Sequence, residues 1–152
     1  MPFQSIFDPF DSKTEKTMTT KINDLVHKLN LKSIHRHIFL CCDQAKPKCC
    51  STEEGLKSWN YLKTRLKELG LDRPNQERTT SVFRTKADCL RVCCDGPIML
   101  IYPDGTWYRH ATPEVIEKII QSHLINDEIV EEYLFHQHPL VNAITEKIEP
   151  EN

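Results

Sequence analysis

Seven cysteines, Cys41, Cys42, Cys49, Cys50, Cys89, Cys93 and Cys94, are the residues of this 152-residue chain best suited to chemistry. Four flank one short loop, and three lie within "CLRVCC", just before Gly96-Pro97. Such thiols can form disulfides, act as redox nucleophiles, or hold zinc or an iron–sulfur cluster. An odd number cannot pair off completely within the chain, which weighs against a disulfide framework. Structural zinc sites and redox dithiols favour C-x2-C, a spacing that no two of these cysteines have. Two from each loop would put four thiolates around one centre, as C-x8-C (Cys41, Cys50) and C-x3-C (Cys89, Cys93). A four-thiolate iron–sulfur cluster is large and tolerates such spacings. Neighbouring side chains diverge in extended chain, so one member of each adjacent pair is expected to be a spectator, a small, semi-buried apolar side chain.

The elements that must position these loops are legible from pattern. "HRHIFLCC" (35–42) is compact and apolar and reads as a first strand, followed by the loop "DQAKPKCC". A helix then starts at Ser51, a candidate N-cap with Glu54 at the capping-box position. Leu56, Trp59, Leu62, Leu66 and Leu69 lie on one face, and Gly70 is placed to end it. "SVFRTK" is a short strand leading into the second cysteine loop. "IMLIY" (98–102) reads as a strand buried on both faces. "PDG" is a turn, "TWYRH" its returning strand, and Thr112-Pro113 opens a helix with Val115, Ile116, Ile119, Ile120 and Leu124 on its apolar face. The order β-α-β-β-β-α predicts a mixed sheet with helices on its faces. "NDEIVEEYLFHQHPL" is expected to be strand-like or irregular and packed on the domain. A short amphipathic helix is expected over 17–31, resting on the core or on a partner, with a disordered or loosely docked segment over 1 to about 15 carrying Phe3, Ile6, Phe7 and Phe10.

Several features together resemble one family, the thioredoxin-like [2Fe-2S] ferredoxins. They are "HIFLC" ending in Cys41, a cysteine shortly before the first helix, "CLRVC" followed by "DGP", then "IMLIYPDGTWY", "TPEVIEKIIQSHL" and "EIVEE", in order over residues 35 to about 135. The resemblance implies an α/β, thioredoxin-like mixed sheet flanked by helices. It implies a [2Fe-2S] cluster held by Cys41, Cys89 and Cys93, with Cys50 or Cys49 as fourth ligand; Cys50 is chosen because "CSTEEG" sets a glycine a few residues on, and Cys42, Cys94 and the unused Cys49 are then spectators. It further implies one-electron transfer between redox partner proteins without substrate chemistry, and homodimers in part of the family. The domain is expected over 35–140, between an N-terminal extension (1–34) and a polar tail (141–152). A structural zinc module and a thiol oxidoreductase on the same fold are the rival readings.

The rest of the chain is consistent with a carrier. The formal charge is −2, so no basic excess argues for nucleic acid. No apolar run reaches the ~18 residues of a membrane span, and the N-terminus does not read as a signal peptide. A cytoplasmic location is therefore expected, where thiols stay reduced. Lys46, Lys48, Arg84, Lys86 and Arg91 lie in or beside the ligand loops; each is read first as a solvated surface charge, the alternative being that they raise the potential or guide an acidic partner. Gly96 lets the backbone come close to the centre. Trp107 and Tyr108 are assigned to cross-strand packing, the alternative being an oligomer contact. No histidine pair has a metal-binding spacing with an acid, and no phosphate loop, G-x-G-x-x-G or G-x-S-x-G is present.

Overall fold

The computed structural model describes residues 12–140. The segment with Phe3, Ile6, Phe7 and Phe10 and the tail 141–152 lie outside the described residues. The elements run α1 (Ser12–Lys28), a 3-10 turn (Leu31–Ser33), β1 (Ile34–Cys41), α2 (Thr52–Glu68), β2 (Ser81–Ala87), β3 (Met99–Tyr102), β4 (Thr106–Tyr108), α3 (Pro113–Ile119) and β5 (Leu134–Gln137). The strands form one sheet in the order β2-β1-β3-β4-β5. β1 and β2 are parallel, and the other pairs are antiparallel. The mixed sheet expected from sequence is present, and the "strand-like or irregular" segment supplies β5 at its edge.

The helix between β1 and β2 supplies the crossover that their parallel pairing needs. That helix starts as its sequence predicts: Ser51 Oγ accepts from the Glu54 N–H, and the Glu54 carboxylate accepts from the Ser51 N–H. Its C-terminal stop is Gly70, at φ 64°, where a side chain is disfavoured. The buried face differs slightly from the expected stripe: Gly55, Ser58, Leu62 and Leu66 are buried, with Trp59 and Leu69 at the margin. Small residues are needed in the first turns because α2 starts hard against the end of β1, with Gly55 beside Cys42.

α2 and α3 lie side by side. Glu117 on α3 accepts from Tyr61 Oη at 2.7 Å and from Arg65 Nε and Nη2 at 3.0 and 2.8 Å. Both cover the sheet face formed by Ile38, Leu40, Met99, Ile101 and Tyr108, joined by Val115, Ile116, Ile119, Ile120 and Leu124. The mixed sheet with flanking helices is as expected, α2 and α3 packing on the same face. The other face carries Phe39, Phe83, Tyr102 and Trp107, all half-buried. The N-terminal helix is longer than expected, beginning at Ser12, and does not rest on the core: Ile22, Leu25 and Leu29 stay exposed at 57%, 54% and 48%.

At the far end of the sheet from the cysteines, a polar network replaces apolar packing. Arg36 Nε donates to Asp104 at 3.0 Å and Nη2 to Asp127 at 2.7 Å. His123 Nε2 bonds the same Asp104 carboxylate, and its Nδ1 lies 2.8 Å from the Tyr108 hydroxyl, which accepts from the Val130 N–H. Every member is satisfied, as burial of polar groups requires. His123 follows α3 in a π-helical turn, Ile120–Ile125.

Candidate metal centre

The parallel register decides where the thiols meet. Cys41, the last residue of β1, is opposite Ala87, the last of β2. The loops leaving these strands therefore emerge at the same edge. β3 starts at that edge too, since Met99 pairs with Leu40 and the Cys41 N–H donates to the Ile98 carbonyl at 2.9 Å. The second cysteine loop, 88–97, is thus fixed at both ends beside Cys41. Hydrogen bonds from His110 N–H to Asp95 O (2.6 Å) and from Ala111 N–H to Pro97 O (2.8 Å) hold its exit. The Gly96-Pro97 peptide is cis.

Cys41 and Cys49 form the buried half of the site. Their sulfurs are 3.4 Å apart, in a small cluster with Ile98 bordered by Cys50, Leu90, Val92 and Trp107. Gly96 closes against Cys49: its N–H donates to the Cys49 carbonyl at 2.9 Å, and a Cβ placed on it would stand 2.8 Å from the Cys49 sulfur. Cys50, the fourth ligand expected from sequence, sits half-buried at the start of α2, its sulfur 3.9 Å from that of Cys49.

Cys89 and Cys93 form the exposed half. They face a cleft of about 290 Å³ lined also by Gln44, Ala45, Lys46, Lys48 and Asp88. The loop turns there through Arg91, at φ 67°, whose N–H donates to the Cys89 sulfur at 3.2 Å. All seven cysteines are free thiols. No three Cys, His, Asp or Glu side chains among the described residues converge on one ion-sized point. The arrangement is two pairs, buried and exposed, on two adjoining loops.

Burial dominates the electrostatics of these thiols. Burial pushes Cys41 up to about 11, with the neighbouring Cys49 and Cys89 adding to it, and pushes Cys42 up to about 12. Burial also raises Cys49 and Cys50, and raises Cys93 with help from Cys89, while Lys48 acts the other way on Cys93. A redox nucleophile would need the opposite, a depressed thiol; a bound metal ionises such thiols outright. Of the five cations expected nearby, two are engaged elsewhere. Lys86 pairs with Asp43 at 3.2 Å, and Arg84 lies over the Trp59 ring at 5.7 Å. Lys46, Lys48 and Arg91 remain, all exposed beside the Cys89–Cys93 pair. Cys42 is fully buried in the main core and Cys94 points to the surface.

One residue of the site was missed by the sequence reading. Gln44 is only 8% exposed, in a loop whose neighbours Ala45, Lys46, Pro47 and Lys48 are all exposed. Its Nε2 donates to the Cys41 sulfur at 3.3 Å, and its Oε1 accepts from the Lys48 N–H at 3.1 Å and lies 3.5 Å from the Cys49 sulfur. The available signal was weak: an uncharged amide three residues after a candidate ligand.

No protein-family model matches the chain. It is 29% identical to a "Ferredoxin, 2Fe-2S" of Clostridium pasteurianum over 98 residues, 62% of this chain and 89% of that protein. It is also 29% identical to a "Ferredoxin, 2Fe-2S" of Aquifex aeolicus over 99 residues, 63% of this chain and 85% of that protein. The fold is similar to that solved for the thioredoxin-like [2Fe-2S] ferredoxin of Aquifex aeolicus, with a TM-score of 0.57 at 23% identity, covering 68% of this chain and 93% of that one.

Proposed function

We propose, the chain being a member of the thioredoxin-like [2Fe-2S] ferredoxins, that it is a one-electron carrier whose [2Fe-2S] cluster is held by the two cysteine loops and that it performs no substrate chemistry. The single observation that carries this reading is the meeting of the loops: β1, β2 and β3 bring Cys41, Cys49, Cys89 and Cys93 to one sheet edge. The donor set fits the group. A diiron cluster needs four thiolates, two to each iron, and the thiols stand as two pairs. Backbone and side-chain N–H groups already point at two of the sulfurs, and Gly96 leaves space where a side chain would collide with Cys49.

We assign Cys41, Cys89 and Cys93 as ligands. For the fourth, the 3.4 Å approach of Cys49 to Cys41 supports Cys49 over Cys50, the residue expected from sequence. When bound, the cluster supplies a site that takes up and releases one electron. The chain's own part is to manage the added negative charge. Donors to Cys41 and Cys89 offset it, Ile98 and the buried loop exclude water from one side, and Cys89 and Cys93 on the other side bring the centre near the surface. That exposed side is where a partner protein would approach. Among the described residues no helix is long and apolar enough to cross a membrane. We further propose that two copies pair across the open sheet face, whose Phe39, Phe83, Tyr102 and Trp107 otherwise remain half in water; sedimentation of the wild type and of Phe39→Glu tests it.

Absorbance and metal analysis of anaerobically purified protein test the central reading. A red-brown chromophore bleached by dithionite, with two irons and two sulfides per chain, is expected. Colourless protein with stoichiometric zinc, or metal-free protein with a titratable active disulfide, overturns it.

A further inference from the structure

We propose that Gln44 sets the reduction potential of the centre by donating its side-chain N–H to the sulfur of Cys41. This rests on the reading of Cys41 as a cluster ligand and goes beyond it, because Gln44 is not itself a ligand.

The geometry fixes which end of the amide faces the sulfur. Its oxygen is committed to the Lys48 N–H at 3.1 Å. Flipping the amide would set two donors against each other. The NH2 group must therefore face Cys41, at 3.3 Å. The side chain is held there by burial, at 8% exposure, while the loop around it stays in water. A polar side chain buried in an exposed loop needs partners that offset its desolvation; here they are the Lys48 N–H and the Cys41 sulfur, with the Cys49 sulfur also 3.5 Å from the amide oxygen.

The consequence follows from charge. A ligating sulfur is anionic, and an N–H donor to it makes a charge-assisted bond. Reduction adds one negative charge to the centre, so the bond is stronger in the reduced state than in the oxidised one. Gln44 thus stabilises the reduced state selectively and raises the potential. The Arg91 N–H acts on Cys89 in the same sense, but a backbone donor cannot be removed by substitution. Gln44 is the adjustable one.

Two substitutions in the full-length, cluster-loaded protein separate this from a loop-pinning role. Gln44→Met keeps length and removes both donor and acceptor without adding charge. Gln44→Glu keeps an oxygen for the Lys48 N–H, so the pin survives, but removes the donor while the carboxylate is ionised. The readouts are the midpoint potential, from an EPR-monitored redox titration, and the Fe–S(Cys) stretching bands in resonance Raman. Both variants are expected to have a lower potential and a higher Fe–S(Cys) frequency than wild type. The Gln44→Glu shift is expected to shrink at acid pH, where its carboxyl regains a proton to donate. An unchanged potential and Raman spectrum in loaded Gln44→Met overturns the proposal, even if Gln44→Glu is lowered, since charge alone would then account for it. Failure of both variants to hold a cluster also overturns it, in favour of a folding role. Wild type without a cluster would instead sink the electron-carrier reading itself.

Discussion

Gly96 rests on Cys49 with no space for a side chain: their backbones are joined by a 2.9 Å hydrogen bond, and a Cβ on Gly96 would stand 2.7 Å from the Cys49 Cβ and 2.8 Å from its carbonyl oxygen. This contact ties the two thiol loops together. Gly96→Ala must push them apart, because the atoms in the way include backbone. The expected result is a protein with native far-UV circular dichroism but at least a several-fold loss of bound iron and sulfide per chain. Full cluster content would show that the loops can separate without cost.

The fourth ligand is decided by a pair of serine substitutions. Cys49→Ser is expected to lose most of the cluster, or to shift its absorbance strongly, because it removes the sulfur beside Cys41. Cys50→Ser, altering a thiol at the start of α2, is expected to retain it. Iron content and visible spectra of the two proteins check this, and the reverse pattern restores Cys50 as the ligand.

Lys46 and Lys48 border the exposed pair in a chain whose formal charge is −2. Local and overall charge therefore pull in opposite directions on a charged redox partner. With Lys46→Gln and Lys48→Gln combined, reoxidation of the reduced protein by ferricyanide is expected to slow by up to ~10-fold at low salt, and reoxidation by hexaamminecobalt(III) to quicken. Both effects should fade above ~0.1 M salt, where the screening length falls to ~10 Å. Stopped-flow traces with the two oxidants measure it; equal rates in both proteins would mean the lysines do not shape approach.

Glu117 joins α3 to α2, and the Arg65 guanidinium holds its carboxyl down at about 2, helped by Gln121 and Tyr61 against a desolvation cost. A depressed carboxyl contributes stability above its unfolded value of 4.5, and that contribution is lost as pH falls towards 2. Arg65 and Glu117 are partly exposed, so solvent screening keeps the pair's contribution small. Glu117→Gln is expected to lower the urea midpoint at pH 7 and to flatten the acid limb of stability below pH ~4.5. Urea titrations at pH 3 to 7 read both.

His123 behaves oppositely to a paired surface histidine. Burial lowers it from the usual 6.5, although Asp104 pulls the other way, and Arg36, Asp127 and Tyr108 complete its surroundings. With the folded value below the unfolded one, the unfolded chain binds more protons as pH drops, so stability is complete above pH 6.5 and declines below it. Tyr108→Phe, which leaves His123 Nδ1 and the Val130 N–H without their partner, is expected to cost ~1–3 kcal/mol by urea unfolding.

Much was written locally. The capping box at Ser51 and Glu54, the stop at Gly70, the Thr112-Pro113 start of α3 and the apolar stripe Val115, Ile116, Ile119, Ile120 and Leu124 all act within a few residues, so the sequence states them directly. "IMLIY" announces a buried strand for the same reason. Residues whose role depends on distant partners were not legible. Arg36 and Asp104 are 68 positions apart, and nothing near either marks them as partners. The exposure of Ile22, Leu25 and Leu29 was equally hidden, because helical spacing shows an apolar face and not what covers it.

The sequence alone determined that the thiols fall in two loops beside core strands, because residue type and order carry the chemistry and the motifs around them are local. Only the tertiary structure decided which sulfur of an adjacent pair turns inward and what stands behind it. Cys49 and Cys50 are equivalent as letters, as are Gln44 and any loop glutamine. The register of β1 against β2 and β3, through the close seat of Gly96, separates them, and that register is a property of packing across the sheet rather than of any segment of the chain.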